Sequence, residues 1–254
     1  MDKQIELNNL YANLKHKNLF NDDLCERLSA PLLLKIPDKW YASKKRVLVV
    51  GQETLGWEFK KNDDEYCYYA WPYDDISNFS QFKMIDNSIQ ALVEGYQKFE
   101  FAKYQPKNHR SPFWRAYRQI RTYTGEDSDG FNTSVLWTNL FRMSIDGGSV
   151  YKNGNPQEIE SMVTLSGSVL RNEIQILNPS AIIFFIGPNY DEYLQSMLPG
   201  SDLITVKNHD SRALAKIKAA ELPQESFRTY HPAYLQRKTN DGYWRFIDEM
   251  CGEF

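Results

Sequence analysis

Three uninterrupted apolar runs dominate the hydrophobic pattern of the chain. Val47-Leu48-Val49-Val50, Val135-Leu136-Trp137 and Ala181-Ile182-Ile183-Phe184-Phe185-Ile186 lack the polar alternation of a half-exposed strand. Such runs fit strands covered on both faces, as in a parallel sheet. Apolar positions at helical spacing separate them. Ile5, Leu7, Leu10, Tyr11 and Leu14 share a face of one or two helices within residues 4–30. Ile85, Ile89, Leu92, Val93 and Tyr96 do so in a helix predicted from Met84 to Phe101. Asn155-Pro156 opens a long helix, with a capping Asn and Pro in the first turn, and Pro179 stops it. A short helix near 190–198, an edge strand at 202–206, a strand from Ser226 to Tyr230 and a helix from Asp241 to about Met250 follow. Strands alternating with helices predict an α/β fold with a mostly parallel sheet. Pro31 and Pro37 bracket the entry to the first strand, and residues 58–108 read as an insertion after it.

Composition narrows the class. A chain of 254 residues with 42% apolar content can bury a sizeable core as one large domain or two small ones. The net charge of −3 supplies no global field toward nucleic acid or membrane, so any polyanion site has to be a local patch. Residues 103–122 are such a candidate, with six Lys or Arg, no acid, and interleaved aromatics. A solvated face and a nucleic-acid surface both fit that stretch. Cys25, Cys67 and Cys251 are far apart and form no CxxC pair, which reads as free thiols in a reducing compartment. The N-terminus does not resemble a signal peptide and no apolar run reaches membrane-spanning length, so a cytoplasmic protein is expected.

Chemistry concentrates at strand ends. In open α/β sheets ligands bind beyond the carboxyl ends of the strands. Gln52 and Glu53 follow Gly51 there, Asn139 ends the second run, and His231 follows the last strand. Each alone has a bland reading: a helix cap for Gln52 and Glu53, a turn former for Asn139, a structural histidine for His231.

Their order and neighbours are more specific. Val-Leu-Val-Val-Gly51-Gln52-Glu53, Ser111-Pro112-Phe113-Trp114-Arg115-Ala116, Leu-Trp-Thr138-Asn139-Leu140 and Thr229-Tyr230-His231-Pro232-Ala233-Tyr234-Leu235 together resemble the uracil-DNA glycosylase superfamily. The likeness is greatest to the type that carries an iron–sulfur cluster in thermophiles. It covers roughly 46–56 and 110–250, outside the N-terminal helices (1–43) and the 58–108 insertion. It implies a single domain spanning 1–254, built as a three-layer α/β/α sandwich around a four-stranded, mainly parallel sheet.

It also implies roles. Glu53 falls at the residue that positions water and stabilises the sugar cation, and Gln52 at the residue that holds the flipped base. Phe113 falls at the aromatic that stacks on the base, Asn139 at the amide that reads its edge, and His231 at the histidine that bonds the departing base. The stretch after Pro232 falls at the loop that enters the duplex. Cleaving an N-glycosidic bond builds positive charge on the sugar and negative charge on the base, so a carboxylate and an opposed donor suit the task. A base in a duplex must first be flipped out and gripped by stacking and edge bonds. Tyr234, Leu235, Gln236, Arg237 and Lys238 offer a wedge and phosphate contacts, with Arg110, Arg115 and Arg118 in the basic stretch.

The departures from the family pattern carry information. The cysteines do not match a four-Cys cluster, so no iron–sulfur centre, metal or other cofactor is expected. Thr54 replaces the usual proline. Leu55 stands where several members have a tyrosine that blocks a 5-substituent, so exclusion of 5-substituted pyrimidines is not expected. An Asn amide can present oxygen or nitrogen, so Asn139 fits the edge of uracil or, flipped, of cytosine. The expectation is a monomeric, monofunctional DNA glycosylase acting on uracil or a modified pyrimidine in DNA, with no membrane partner. Removal of bulky 5-modified pyrimidines from phage DNA as a defence is the alternative. A catalytically silent nucleic-acid binder is another, which Glu53 argues against. A nucleotide-binding α/β protein would want a glycine-rich phosphate loop, and none is found.

Overall fold

The computed structural model describes residues 2–54, 76–101, 111–124, 134–238 and 244–253. In chain order the elements are α1 (Lys3–His16), α2 (Asp22–Arg27), β1 (Val47–Glu53), α3 (Phe79–Met84), α4 (Ser88–Phe101), α5 (Pro112–Thr124), β2 (Val135–Phe141), α6 (Val150–Asn153) and α7 (Pro156–Leu177). They continue with β3 (Ala181–Phe185), α8 (Asp191–Met197), β4 (Asp202–Thr205), β5 (Leu214–Lys218), β6 (Glu225–Thr229), α9 (Pro232–Lys238) and α10 (Trp244–Gly252). The chain divides into two compact units. The first comprises Met1–Ile36, Glu53–Pro106 and Asn139–Ile176; the second comprises Pro37–Gln52, Lys107–Thr138 and Leu177–Phe254.

The sheet belongs to the second unit, except that Glu53 and the last residues of β2 count with the first. Its order is β2-β1-β3-β6-β5-β4. β1 pairs parallel with β3 (Val47 opposite Ala181), and β3 pairs parallel with β6 (Ala181 opposite Glu225). β5 is antiparallel to β6, and β4 to β5. The α/β class therefore stands, while the expected four strands are corrected to six. The strand that the pattern missed is β5, Leu-Ala-Lys-Ile-Lys, whose Ala and Lys residues disfavour strands in isolation. It is a strand because β6 and β4 bond it on both sides. β4 at the edge is mostly exposed, and Lys216 of β5 pairs with Glu225 at 3.0 Å. The apolar runs in β1 and β3 are fully buried, as expected of interior strands.

The order of connection reverses at β1, with β2 on one side and β3 on the other. That is the switch point at which open α/β sheets leave a crevice beyond the strand ends. The starts of β1 and β3 are pinned: Arg46 N donates to Ser180 Oγ (2.8 Å), Ser180 N to Arg46 O (2.7 Å) and buried Trp40 Nε1 to Leu177 O (2.8 Å). α5 packs on both α9 and α10.

The first unit is helical. The buried stripe of α1 is Leu7, Tyr11 and Leu14, at i, i+4 and i+7. Ile5, expected on that face, is 50% exposed, because two residues are about 200° of helix rotation from Leu7. The helix expected from Met84 to Phe101 starts later, as α4 at Ser88, because a separate helix α3 ends at Met84 and Ile85 turns extended. Buried Ser88 then restarts the chain, donating to Phe82 O at 2.7 Å. Lys15 Nζ covers the break by donating to Ile85 O at 2.5 Å. α7 begins in a reciprocal box: Glu158 N donates to Asn155 Oδ1 and Asn155 N to Glu158 Oε2, both at 2.9 Å. A buried polar cluster ties α1 to α7: Tyr11 OH donates to Glu173 Oε1 (2.7 Å), Leu34 N donates to Tyr11 OH (3.0 Å), and Arg142 pairs with the other Glu173 oxygen.

No helix among the described residues is long and apolar enough to cross a membrane. Cys25 and Cys251 are buried free thiols, and burial raises both, Cys251 to about 12. Cys67 lies outside the described residues, as do Leu55 and residues 58–75 and 102–108 of the expected 58–108 insertion.

Candidate active site

The second unit gathers three of the expected residues at the switch point. Gln52, at the carboxyl end of β1, donates from Nε2 to Ile186 O just past β3, at 2.6 Å. This bond ties the end of β1 to the residue that follows β3. Phe113 sits in the first turn of α5, where Pro112 presets helical φ. Its ring meets Phe185 edge-on (centroids 6.1 Å) and Trp114 edge-on (5.1 Å). It lies nearly parallel to the His231 imidazole, at 5.8 Å and 16°. The end of β3 thus fixes Phe113, and Phe113 and His231 together form two stacked, near-parallel rings.

His231 lies between β6 and α9. Ala233 N donates to its Nδ1 at 3.2 Å. A backbone N–H can only donate, so Nδ1 is an acceptor and the ring proton of the neutral form resides on Nε2. Burial, helped by the positive charge of Arg237, lowers the histidine to about 4. At neutral pH the site therefore holds an uncharged imidazole with one N–H donor, Nε2–H. The neighbouring Tyr230 stacks on Tyr234 at 4.3 Å. Gly187 has φ +73°, and a Cβ there would stand 3.2 Å from the Tyr230 ring, so only glycine suits both the backbone and the close approach.

The first unit holds the other two residues. Glu53 ends β1, and its Oε1 accepts from Ser149 Oγ at 3.0 Å. Asn139 is only 6% exposed. Its Nδ2 donates to Thr54 Oγ1 at 2.8 Å, and Thr54 Oγ1 lies 3.2 Å from Phe141 O. Thr54 N donates to the same carbonyl at 3.2 Å. The polar groups of Thr54 are thus turned onto the end of β2.

The expected DNA-contact residues divide. Arg115 and Arg237 are exposed, while Arg118 and Tyr234 are half-buried. Leu235 is 2% exposed, so the wedge expected of it is not presented. The reason is that the stretch after Pro232 is helix α9, packed on α5, where the resemblance implies a loop. Arg110 and the side chain of Lys238 lie outside the described residues. Among the described residues no group of three or more His, Cys, Asp or Glu is gathered as metal ligands would be.

Two residues that the sequence reading did not assign to the site belong to its geometry. Ser149 follows Gly147-Gly148, a turn with φ +66° at Gly147. A hydroxyl after a Gly-Gly turn that follows a polar strand end was the available signal. Thr54, standing where the family pattern has proline, is the other. No protein-family model matches the chain, and no curated protein matches it either.

Proposed function

We propose that the protein is a monofunctional DNA glycosylase that flips uracil or a modified pyrimidine out of DNA and hydrolyses its N-glycosidic bond. The observation that carries this reading is the state of His231: neutral, with Nδ1 occupied by Ala233 N and Nε2–H left as the donor. A neutral donor suits a leaving base that departs as an anion, because the bond strengthens as negative charge develops. A histidine serving as general acid would instead be poised near the working pH.

The remaining residues take complementary parts. Phe113 offers a rigid ring face for the base to stack on, braced by Phe185. Glu53, held by Ser149, stabilises the sugar cation and orients the attacking water. Gln52 and Asn139 supply edge contacts to the base, and Arg115 and Arg237 supply phosphate contacts. The reading implies a three-layer sandwich and a monomer working in the cytoplasm.

The test is a panel of duplex and single-stranded oligonucleotides carrying uracil, 5-substituted uracils or unmodified bases, assayed for free base and abasic sites. Release of a pyrimidine base, strongly slowed in Glu53→Gln, is expected. A protein that binds these DNAs without releasing any base is instead the silent nucleic-acid binder.

A further inference from the structure

Glu53 is held through a turn that is itself clamped to α2, and every residue of that chain of contacts lies in the first unit. Ser149 stands at the N-cap of α6, where a serine ordinarily accepts from the first helical N–H groups, yet its side chain makes no cap bond. Its hydroxyl donates to Glu53 Oε1 instead. The turn before it sets where Ser149 lies. Asp146 and Gly147 both have positive φ, +52° and +66°, and Gly148 N donates to Ile145 O at 2.9 Å. That is the pattern of a type I′ turn, which Asp-Gly favours. Asn153 reaches back from the end of α6 and donates from Nδ2 to Ile145 O at 2.8 Å. It passes over Gly148, where a Cβ would stand 2.6 Å from that nitrogen.

The turn is fastened to the end of α2 at Asp146. Asp146 N donates to Arg27 O at 2.9 Å, and Arg27 donates to Asp146 Oδ2 from Nε (3.1 Å) and Nη2 (3.0 Å). Its Nη1 donates to Glu158 Oε1 at 2.7 Å, in the capping box of α7. An Asn would suit the turn as well as Asp146 does, so what the carboxylate adds is the clamp. Arg27 and Asp146 are 29% and 49% exposed, and exposed ion pairs add little stability. Geometry is what three such bonds supply. We propose that Arg27 and Asp146 are positioning residues for Glu53: the clamp fixes the turn, the turn places Ser149, and Ser149 orients the carboxylate. The inference rests on the glycosylase reading for the reaction that Glu53 serves. A displaced catalytic group loses rate and leaves substrate affinity in place.

The experiment measures single-turnover base release and DNA affinity for Asp146→Asn and Arg27→Met, each in the wild-type and in the Ser149→Ala background, on oligonucleotides carrying uracil or a 5-substituted uracil. Asp146→Asn keeps a turn-forming residue and leaves the Arg27–Glu158 pair in place, and Arg27→Met removes the clamp from the other side, so a folding defect in one does not decide the matter. Side-chain couplings of Glu53, followed by NMR in the same proteins, report how firmly its rotamer is held. The expected result is a rate reduced about three- to tenfold by each variant with affinity kept, and no further reduction in the Ser149→Ala background. The Glu53 couplings should move toward rotamer averaging. Equal losses in both backgrounds, as a merely structural pair would give, overturn the inference, as does an unchanged rate in a folded variant. Either result leaves the glycosylase reading intact. If wild type releases no base, the glycosylase reading fails instead. The clamp is then judged on the couplings alone: averaging in both variants supports it, and couplings unchanged from wild type overturn it.

Discussion

Ser149 donates a hydrogen bond to Glu53 Oε1 at 3.0 Å across 96 positions of sequence. The carboxylate that ends β1 is therefore held from the turn after β2 and does not swing as a free side chain. A bond that only orients Glu53 and one that creates its chemistry predict different losses. Glu53→Gln should reduce single-turnover excision about 10²–10⁴-fold with DNA affinity kept. Ser149→Ala should reduce it by about tenfold, the cost of one hydrogen bond to a charged group. Equal losses in the two variants would make Ser149 more than a support.

The depressed histidine sets a pH signature. With His231 at about 4, the ring stays neutral throughout the range in which an ordinary histidine titrates. The excision rate should show no histidine limb near pH 6.5. An NMR titration of the His231 Cε1 proton should stay flat from pH 8 to about 5. The stability consequence has a definite sign. Between about 4 and 6.5 the unfolded chain binds a proton at this site that the folded chain refuses, so stability contributed here falls as pH drops through that window. A His231→Gln variant should lose that slope. A titration of His231 centred near 6.5 would remove the basis for a neutral donor.

Among the described residues, exposure sorts the expected phosphate contacts. Arg115 and Arg237 are exposed and Arg118 is half-buried, so the first two are the candidates. Alanine at each should flatten the log–log dependence of DNA affinity on salt by about one unit, and together by about two. Arg118→Ala should leave the slope alone. An unchanged slope in the Arg115→Ala, Arg237→Ala double variant would return both to solvated surface.

The buried Arg142–Glu173 pair tests the first unit separately from the site. Both side chains are essentially inaccessible, at 2% and 0%. Burial pushes Glu173 upward, and Arg142 and Tyr11 oppose that shift. Glu173→Gln should destabilise by about 3–5 kcal/mol, because it removes the carboxylate charge that faces a buried guanidinium. The double replacement Arg142→Met with Glu173→Leu should recover much of that loss. Denaturant midpoints at constant slope are the measure.

What the chain determined by itself is the set of elements whose residues leave no alternative. Val47–Val50 and Ala181–Phe185 are too continuously apolar for anything but covered strands, and Asn155-Pro156 can open a helix but not continue one. Gln52 and Glu53 were legible for the same reason, since they sit where such a strand must end. Tertiary structure decided everything that depends on a distant partner. Leu214–Lys218 is a strand because β6 and β4 flank it, and Leu235 is buried because α9 lies on α5. His231 became a defined tautomer only when the first turn of α9 brought Ala233 N to its Nδ1. The Asn139–Thr54 hydrogen bond joins residues 85 positions apart and exists only once the fold has brought them together.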